Sequence, residues 1–334
     1  MKSASQAALQ RTQRGAAILT AMLTVVLVAS LSAAALWQQW RAVEVESAER
    51  SRTQSAWVLT GALDWARLIL REDARKGGSD HLAEPWAMPL EQARLSTFLA
   101  ADRSDALAAD EAQDAFLSGQ MIDLQSRLNV FNLVQEGKIH EPSRVAFARL
   151  FELLNLAPGE LDVMVYQLRL AAEGSATTAA AAVAVAGHGS AAPLWPQNVD
   201  QLAWVGLSPR SIAVLRPYIT LLPVRTPVNL NTASAEVIYA CVEDFAFADA
   251  NRLVSARNLT PLSSLAEVGK LSGNSVAKFY EAQHSVASNY FEVRGLLRVE
   301  QTVVQEQSIV QRNGLEVKTL SRQRSAAAAT APLQ

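Results

Sequence analysis

From Gly15 to Trp40 the chain carries no charged side chain, and Ala, Leu, Val and Ile dominate the run. A helix of that length spans the roughly 30 Å hydrocarbon core of a bilayer. No second segment matches it. Lys2, Arg11 and Arg14 precede it with no acidic residue, whereas Glu44, Glu46 and Glu49 follow it. This cation bias holds the short end in the cytoplasm and puts the bulk of the chain beyond the inner membrane. Trp37 and Trp40 stand at the exit, where indoles favour the interface. Ser30, Ser32 and Ala34 supply the small residues of a cleavable secretory signal. Against that alternative, helical character continues: Trp37 to Lys76 holds no Pro and only one Gly, Gly61. Val58, Leu59, Ala62, Leu63, Ala66, Ile69 and Leu70 recur there at three- and four-residue spacing. The pattern predicts one helix from Ala16 to Lys76, half in lipid and half packed on a head domain, stopped by Gly77 and Gly78.

The remaining chain is built for packed cores. Of 334 residues, 50% are apolar and 19% charged, which excludes disorder for most of the length and suggests about two domains. Thirty Lys plus Arg balance 32 Asp plus Glu to a net −2, without the cation excess of a protein whose main partner is nucleic acid. One cysteine, Cys241, forms neither an intramolecular disulfide nor a cysteine zinc site. The four histidines, His81, His140, His188 and His284, are scattered.

Arg14-Gly15 followed by Ala16-Ala17-Ile18-Leu19 and an unbroken apolar helix resembles the type IV pilin signal. The resemblance implies that prepilin peptidase cuts after Gly15 and methylates the new amino terminus at Ala16. Pilins usually carry Glu at the fifth mature position, and here Thr20 stands there. A carboxylate in lipid is costly unless paired, and its usual partner in a filament is the terminal amine of a neighbour. A subunit without it fits the filament's end. That departure, together with the size of the head, resembles the minor pseudopilin K family of type II secretion.

The region from Leu82 to Pro89, with Pro85, Trp86 and Pro89, reads as a loop. Met121 to Val134 is partly alternating and is predicted as a strand. It resembles a family stretch through Asp123, Arg127, Asn129, Asn132 and Leu133. These Asp and Asn side chains either hydrogen-bond a turn backbone or form a cation site. Helix signals return from Glu141 to Leu170, with Pro142-Ser143 and Pro158 near helix starts. Ala171 to Pro193, rich in small residues, reads as a linker, and His188 within it as an exposed loop residue. Asn289 to Val299 and Thr302 to Arg312 are strand-like, and Asn313-Gly314 is the best short hairpin signal.

Between these sheet-forming regions, Gln201 to Leu207 followed by Ser208-Pro209 reads as a helix, a Gly turn and a new helix. A second such unit starts at Val228-Asn229-Leu230-Asn231-Thr232-Ala233-Ser234, where Asn or Thr is expected to cap a helix through Tyr239. The segment resembles the helix-hairpin-helix of membrane-anchored DNA-uptake proteins. Such hairpins grip phosphate through a Gly-x-Gly backbone, whereas Val242-Glu243-Asp244-Phe245-Ala246 offers two carboxylates and no glycine. Leu194 to Ser285 holds seven basic and seven acidic residues. DNA binding is therefore the disfavoured reading.

No G-x-S-x-G or phosphate-loop motif appears, so no catalytic role is expected. Asp102, Asp105, Asp110, Glu111 and Asp114 form an acidic stretch, read as a solvated helix face with calcium as the lesser reading. The family resemblance leaves calcium open, with its ligands in this sequence unknown, and no other cofactor is expected.

The expected fold is α/β and pilin-like: a long N-terminal helix against an antiparallel sheet, with an all-α inserted domain of helix-hairpin-helix-like units. The expected division is a leader at 1–15, the membrane and filament-core helix at 16–36, and head parts at 37–137 and 288–324. The inserted domain occupies 138–287, with its linker at 171–193, and a disordered tail occupies 325–334. The resemblance implies a pseudopilus-tip role in assembly and export. Its implied partners are minor pseudopilins I and J, other pseudopilins, prepilin peptidase, and secreted substrate or the outer-membrane channel. A surface-pilus minor pilin and a membrane-anchored DNA receptor are the alternatives.

Overall fold

The computed structural model describes residues 3–95, 115–176, 193–274, 276–299 and 302–327. Met1–Val58 and Leu59–Gln334 form two compact units. Helix α1 runs over Ser3–Lys76. In the first unit its apolar side chains, Ile18 through Leu36, are exposed, and this is a helix long and apolar enough to cross a membrane. Beyond Trp40 it becomes a charged helix with i,i+3 and i,i+4 pairs such as Arg50–Glu46 and Arg52–Glu49.

In the second unit the last turns of α1 become amphipathic. Leu59, Leu63, Ala66 and Leu70 form a buried stripe, each large side chain contributing about 1.5–3 kcal/mol by leaving water. Leu63, Ala66 and Leu70 meet Trp86, Phe291, Val293, Val310 and Val317, with Trp86 edge-on to Phe291 at 5.1 Å. Arg75 and Lys76 occupy the last turn, where cations suit the helix dipole. Gly77 then adopts φ +66° and Gly78 φ +115°, conformations that end the helix at no steric cost to glycine.

The strands are β1 (Leu90–Arg94), β2 (Ala115–Asp123), β3 (Leu128–Asn129), β4 (Val134–Gln135), β5 (Lys138–Ile139), β6 (Ile219–Thr220), β7 (Val228–Asn229), β8 (His284–Ser285), β9 (Tyr290–Val299), β10 (Thr302–Asn313) and β11 (Glu316–Ala327). The main sheet has the order β1-β2-β9-β10-β11 and is antiparallel throughout. Because β2 pairs directly with β9 over Ala115↔Val299 to Asp123↔Phe291, everything between Asp123 and Tyr290 is inserted between two neighbouring strands.

That insertion contains α2 (Glu141–Leu153), α3 (Pro158–Ala176), α4 (Pro209–Leu215), α5 (Ala235–Cys241), α6 (Phe247–Leu259) and α7 (Val268–Ser272). Its own apolar core gathers Phe147, Leu150 and Phe151 of α2, Met164 and Leu168 of α3, and Leu215, Ile238 and Leu253 further on. Leu128, Val130 and Leu133 belong to the same core. The insertion thus begins structurally just after Asp123, upstream of the 138 boundary expected from sequence.

Four local expectations change. The strand expected over Met121–Val134 stops at Asp123, because its carboxylate accepts the Gln125 N–H and opens a 3₁₀ turn; the strand instead starts earlier, at Ala115. The helix expected to end by Leu170 runs to Ala176, into the expected linker, and His188 lies outside the described residues. Ser325 to Ala327, expected in a disordered tail, pair with Gln305, Val304 and Val303 in β10. The hairpin falls where Asn313-Gly314 marked it, but Asn313 closes the strand opposite Glu316, leaving Gly314 at φ +57° and Leu315 as the loop.

Candidate functional site

Two places carry the chemistry that distinguishes this chain. The first is the apolar start of α1. Gly15 and Ala16 lie within the helix. Thr20, at the position where a pilin would carry Glu, donates its hydroxyl to the Ala17 carbonyl at 2.9 Å. An i−3 bond of this kind satisfies the polar group within its own helix. Thr24 and Ser30 do the same toward Ala21 and Leu27. These three hydroxyls are thus compatible with an apolar solvent, whereas a carboxylate would require a partner from outside.

The second is a buried polar joint where the insertion leaves and re-enters the sheet. Asp123, at the end of β2, is 2% exposed. One carboxylate oxygen accepts the Gln125 N–H at 2.7 Å. The other accepts from Thr232 Oγ1 at 2.5 Å, Ser288 Oγ at 2.6 Å and Asn229 Nδ2 at 3.1 Å. Asn229 Nδ2 also reaches the Asp80 carbonyl, while its Oδ1 takes the Asn231 N–H. Asn231 in turn clamps Leu262, accepting its N–H and donating to its carbonyl, both at 2.9 Å. Burial lifts the Asp123 carboxyl to about 6, against the lowering effect of the Ser288, Thr232 and Gln125 donors.

A second layer surrounds it. Asn129 donates to the Val224 carbonyl at 2.8 Å and accepts from the Phe131 and Leu222 N–H groups. Asn132 pairs with the Thr226 backbone in both directions. Gln125 ties Pro227 to Asn289. Short parallel ladders, β3 with β6 and β7 with β8, align these contacts. Of the two readings open for Asp123, Asn129 and Asn132, the turn-capping one holds locally for Asp123 and Asn129. Their remaining atoms cross to segments about a hundred residues away, and no cation is needed to satisfy them.

Asp73, Asp80 and Glu84 form an acidic trio beside the joint, with oxygens within 4.8 Å of one another. Calcium wants six to eight oxygen ligands. Here Arg312 binds both Asp73, at 2.7 Å, and Asp80, and Glu84 accepts from His81 N and Trp86 Nε1. A guanidinium already supplies the positive charge, so this donor set does not fit calcium. Burial pushes Asp80 and Glu84 upward, Arg312 partly countering it at Asp80. The acidic stretch from Asp102 to Asp114 lies outside the described residues.

His284 and Cys241 serve packing. His284 is buried, accepts the Tyr280 N–H at Nδ1 and faces the Cys241 carbonyl through Nε2 at 3.1 Å, a pattern of the neutral ring that agrees with its downward shift by burial. Burial pushes the Cys241 thiol up to about 12, far from nucleophilic. His140 flanks α2, with Nδ1 2.9 Å from Ser143 Oγ.

The two hairpins bear on the DNA reading through their geometry. In the first, Asn198 and Ser208 cap the helical turns on either side and Gly206 takes φ +100°. In the second, Ser234 rather than Asn or Thr caps α5, because Asn229, Asn231 and Thr232 are committed to the joint. Asp244 adopts φ +55° at the hairpin. Arg149 donates to the Val242 and Phe245 carbonyls and stacks on Tyr239 at 4.4 Å. The cation is spent on the hairpin's own carbonyls, and the exposed Glu243 and Asp244 of the hairpin would repel a phosphate.

Family models for type II secretion system protein K match residues 126–224 and 228–287, most of the insertion. The type II secretion system protein K of Pseudomonas aeruginosa is 26% identical over 94% of this chain and 90% of its own length. Both family models and this relative bear out the likeness of the chain to type II secretion system protein K. A chain from the crystal structure of the GspK-GspI-GspJ complex of the enterotoxigenic Escherichia coli type 2 secretion system shares the fold. Its TM-score is 0.58 at 16% identity, over 84% of this chain and 99% of that one. Members of the protein K family are structural pseudopilins, and the role of this chain is that of a minor pseudopilin of type II secretion. The pilus and DNA-receptor readings are not favoured. Its apolar N-terminal helix makes it an inner-membrane-anchored, single-pass protein.

Sequence reasoning found Asp123, Asn129 and Asn132 but missed Asp80, Thr226, Ser288 and Arg312. Only the turn-capping spacing carried a local signal. The missed residues join the network through distant pairings.

Proposed function

We propose that this minor pseudopilin sits at the tip of the periplasmic pseudopilus, helps start its assembly and takes no catalytic part in export. The observation that carries the reading is Thr20, whose hydroxyl is satisfied by Ala17 and which therefore asks nothing of a neighbouring amine. In this reading residues 1–15 are a leader removed after Gly15, Ala16 becomes the methylated terminus, and residues 16–36 are stored in the membrane before extraction. Leaving lipid for neighbouring apolar helices exchanges one dispersion-rich surface for another, so the transfer is close to neutral. The inserted domain supplies bulk that suits an end position, with minor pseudopilins I and J as neighbours and the secreted substrate or outer-membrane channel ahead.

Intact-mass measurement in cells with and without prepilin peptidase tests the processing. The competent cells are expected to yield a chain shortened by its first fifteen residues and carrying one methyl group; identical masses reject it. Immunogold labelling of sheared pseudopili tests the placement. Label at one end supports it, and label along the shaft overturns it.

A further inference from the structure

The sheet has two unlike faces. Phe291, Val293 and Val310 face the end of α1, whereas the cross-strand rows Glu292–Ile309–Ser321 and Arg294–Gln307–Gln323 share the opposite face. Across from these rows stands the 197–221 part of the insertion, and between them lies a cleft of about 310 Å³. Its charged lining comprises Arg127, Arg216 and Arg294 against Asp200 and Glu292. Both carboxylates are taken: Asp200 pairs with Arg216, and Glu292 with Arg294 at 2.9 Å and with the Gln307 amide. Arg127 is left over. It is half-buried, follows the 3₁₀ turn after Asp123, and its guanidinium meets no hydrogen-bond or ion-pair partner among the described residues. Burial and the neighbouring Arg294 both disfavour its charge, with Glu292 and Asp123 only partly countering them. A partly desolvated cation without an anion is costly, and an entering carboxylate relieves it through charge-assisted, two-pronged hydrogen bonding.

We propose that this cleft is a docking site for an acidic polypeptide segment, with Arg127 as its charge anchor. The volume exceeds what a single small anion fills. The amides of Gln197, Gln307 and Gln323, all on the cleft wall, offer donors and acceptors to a peptide backbone, and Ile309 gives a methylene stem an apolar contact. The site is independent of the tip placement, since it uses residues of the head alone.

The test is calorimetric titration of the full-length protein in detergent with three probes: a blocked Gly-Glu-Glu-Gly peptide, its Gln analogue, and inorganic phosphate. The Glu peptide is expected to bind about tenfold or more tighter than the Gln analogue, to lose a similar factor in Arg127→Gln, and to stay within about threefold in Arg127→Lys. Ser321→Asp, which sets a competing carboxylate on the sheet wall, is expected to weaken binding in the same direction, and it carries the test should Arg127→Gln fail to fold. No heat with the Glu peptide, equal binding of the Gln analogue, or undiminished binding by both charge variants overturns the proposal. Phosphate binding as tightly as the peptide also overturns it, showing a small-ion site.

Discussion

The core of the insertion and the joint that attaches it to the sheet are both buried, yet they are held by opposite means. Inside the insertion, Phe147, Leu150, Phe151, Met164 and Leu168 make an apolar interior whose stability scales with area removed from water. At the joint, Asp123, Asn229, Thr232 and Ser288 are almost as deeply buried but contribute through direction, since each polar atom has one geometry in which it is satisfied. The first arrangement is tolerant of shape and makes a domain. The second is intolerant and fixes how that domain is mounted on its sheet.

The largest blow to this contrast should come from Phe151→Ala, which opens a cavity in the apolar core and costs about 3–5 kcal/mol, read as a lowered midpoint in chemical denaturation. Asp123→Ala should cost somewhat less, about 2–4 kcal/mol at neutral pH, because it strands four donors away from water. Its signature differs: amide exchange should quicken at 228–232 and 286–289 while amides of α2 and α3 keep their protection. Uniform quickening would show that joint and core are one cooperative unit.

A change of pH sharpens the same contrast. Asp123 is raised to about 6 from an ordinary value of 3.8, so the native state holds its proton more tightly than the unfolded chain. The cost of the buried charge is complete above pH 6 and is relieved as pH falls through 6 toward 4. Wild type should therefore gain stability relative to Asp123→Asn between pH 7 and 5, with Phe151→Ala following the wild-type slope. Parallel curves for wild type and Asp123→Asn would sink this assignment.

Gly206→Ala should cost about 1–3 kcal/mol, because the new methyl would stand 2.5 Å from Val163 Cγ1 at a φ of +100°. The smallest effect separates the hairpins. Asp244→Gly should stabilise by up to about 1 kcal/mol by relieving the left-handed backbone, and filter binding should show no gain in DNA retention, since Arg149 stays committed to the hairpin carbonyls.

The end of α1, the strands after Asn289 and the turn at Gly314 were legible because each is written in a period or a neighbouring pair: Leu59, Leu63 and Leu70 along a helix, Asn313-Gly314 at a hairpin. The joint was only half legible. Asp123 and Asn129 announce a local turn, and both make it. Nothing in their spacing reveals that Asp123 also awaits Ser288, 165 positions on. β1 was missed since Leu90–Arg94 alternates weakly and lies at a sheet edge. The cap of α5 was misassigned because the residues best suited to it by type were drawn into the joint.

The sequence by itself determined the solvent each segment requires: an uncharged run that needs lipid or sibling helices, an amphipathic continuation, alternating strands and an apolar helical block. Those demands are local, set by side-chain polarity over one or two turns. Which oxygen of Asp123 meets which hydroxyl, that Arg312 rather than a metal ion answers Asp73 and Asp80, and that Arg127 is left facing a cleft were decided only in the tertiary structure. Hydrogen bonds and charge pairs act over a few ångströms in space, and chain folding alone brings such distant residues that close.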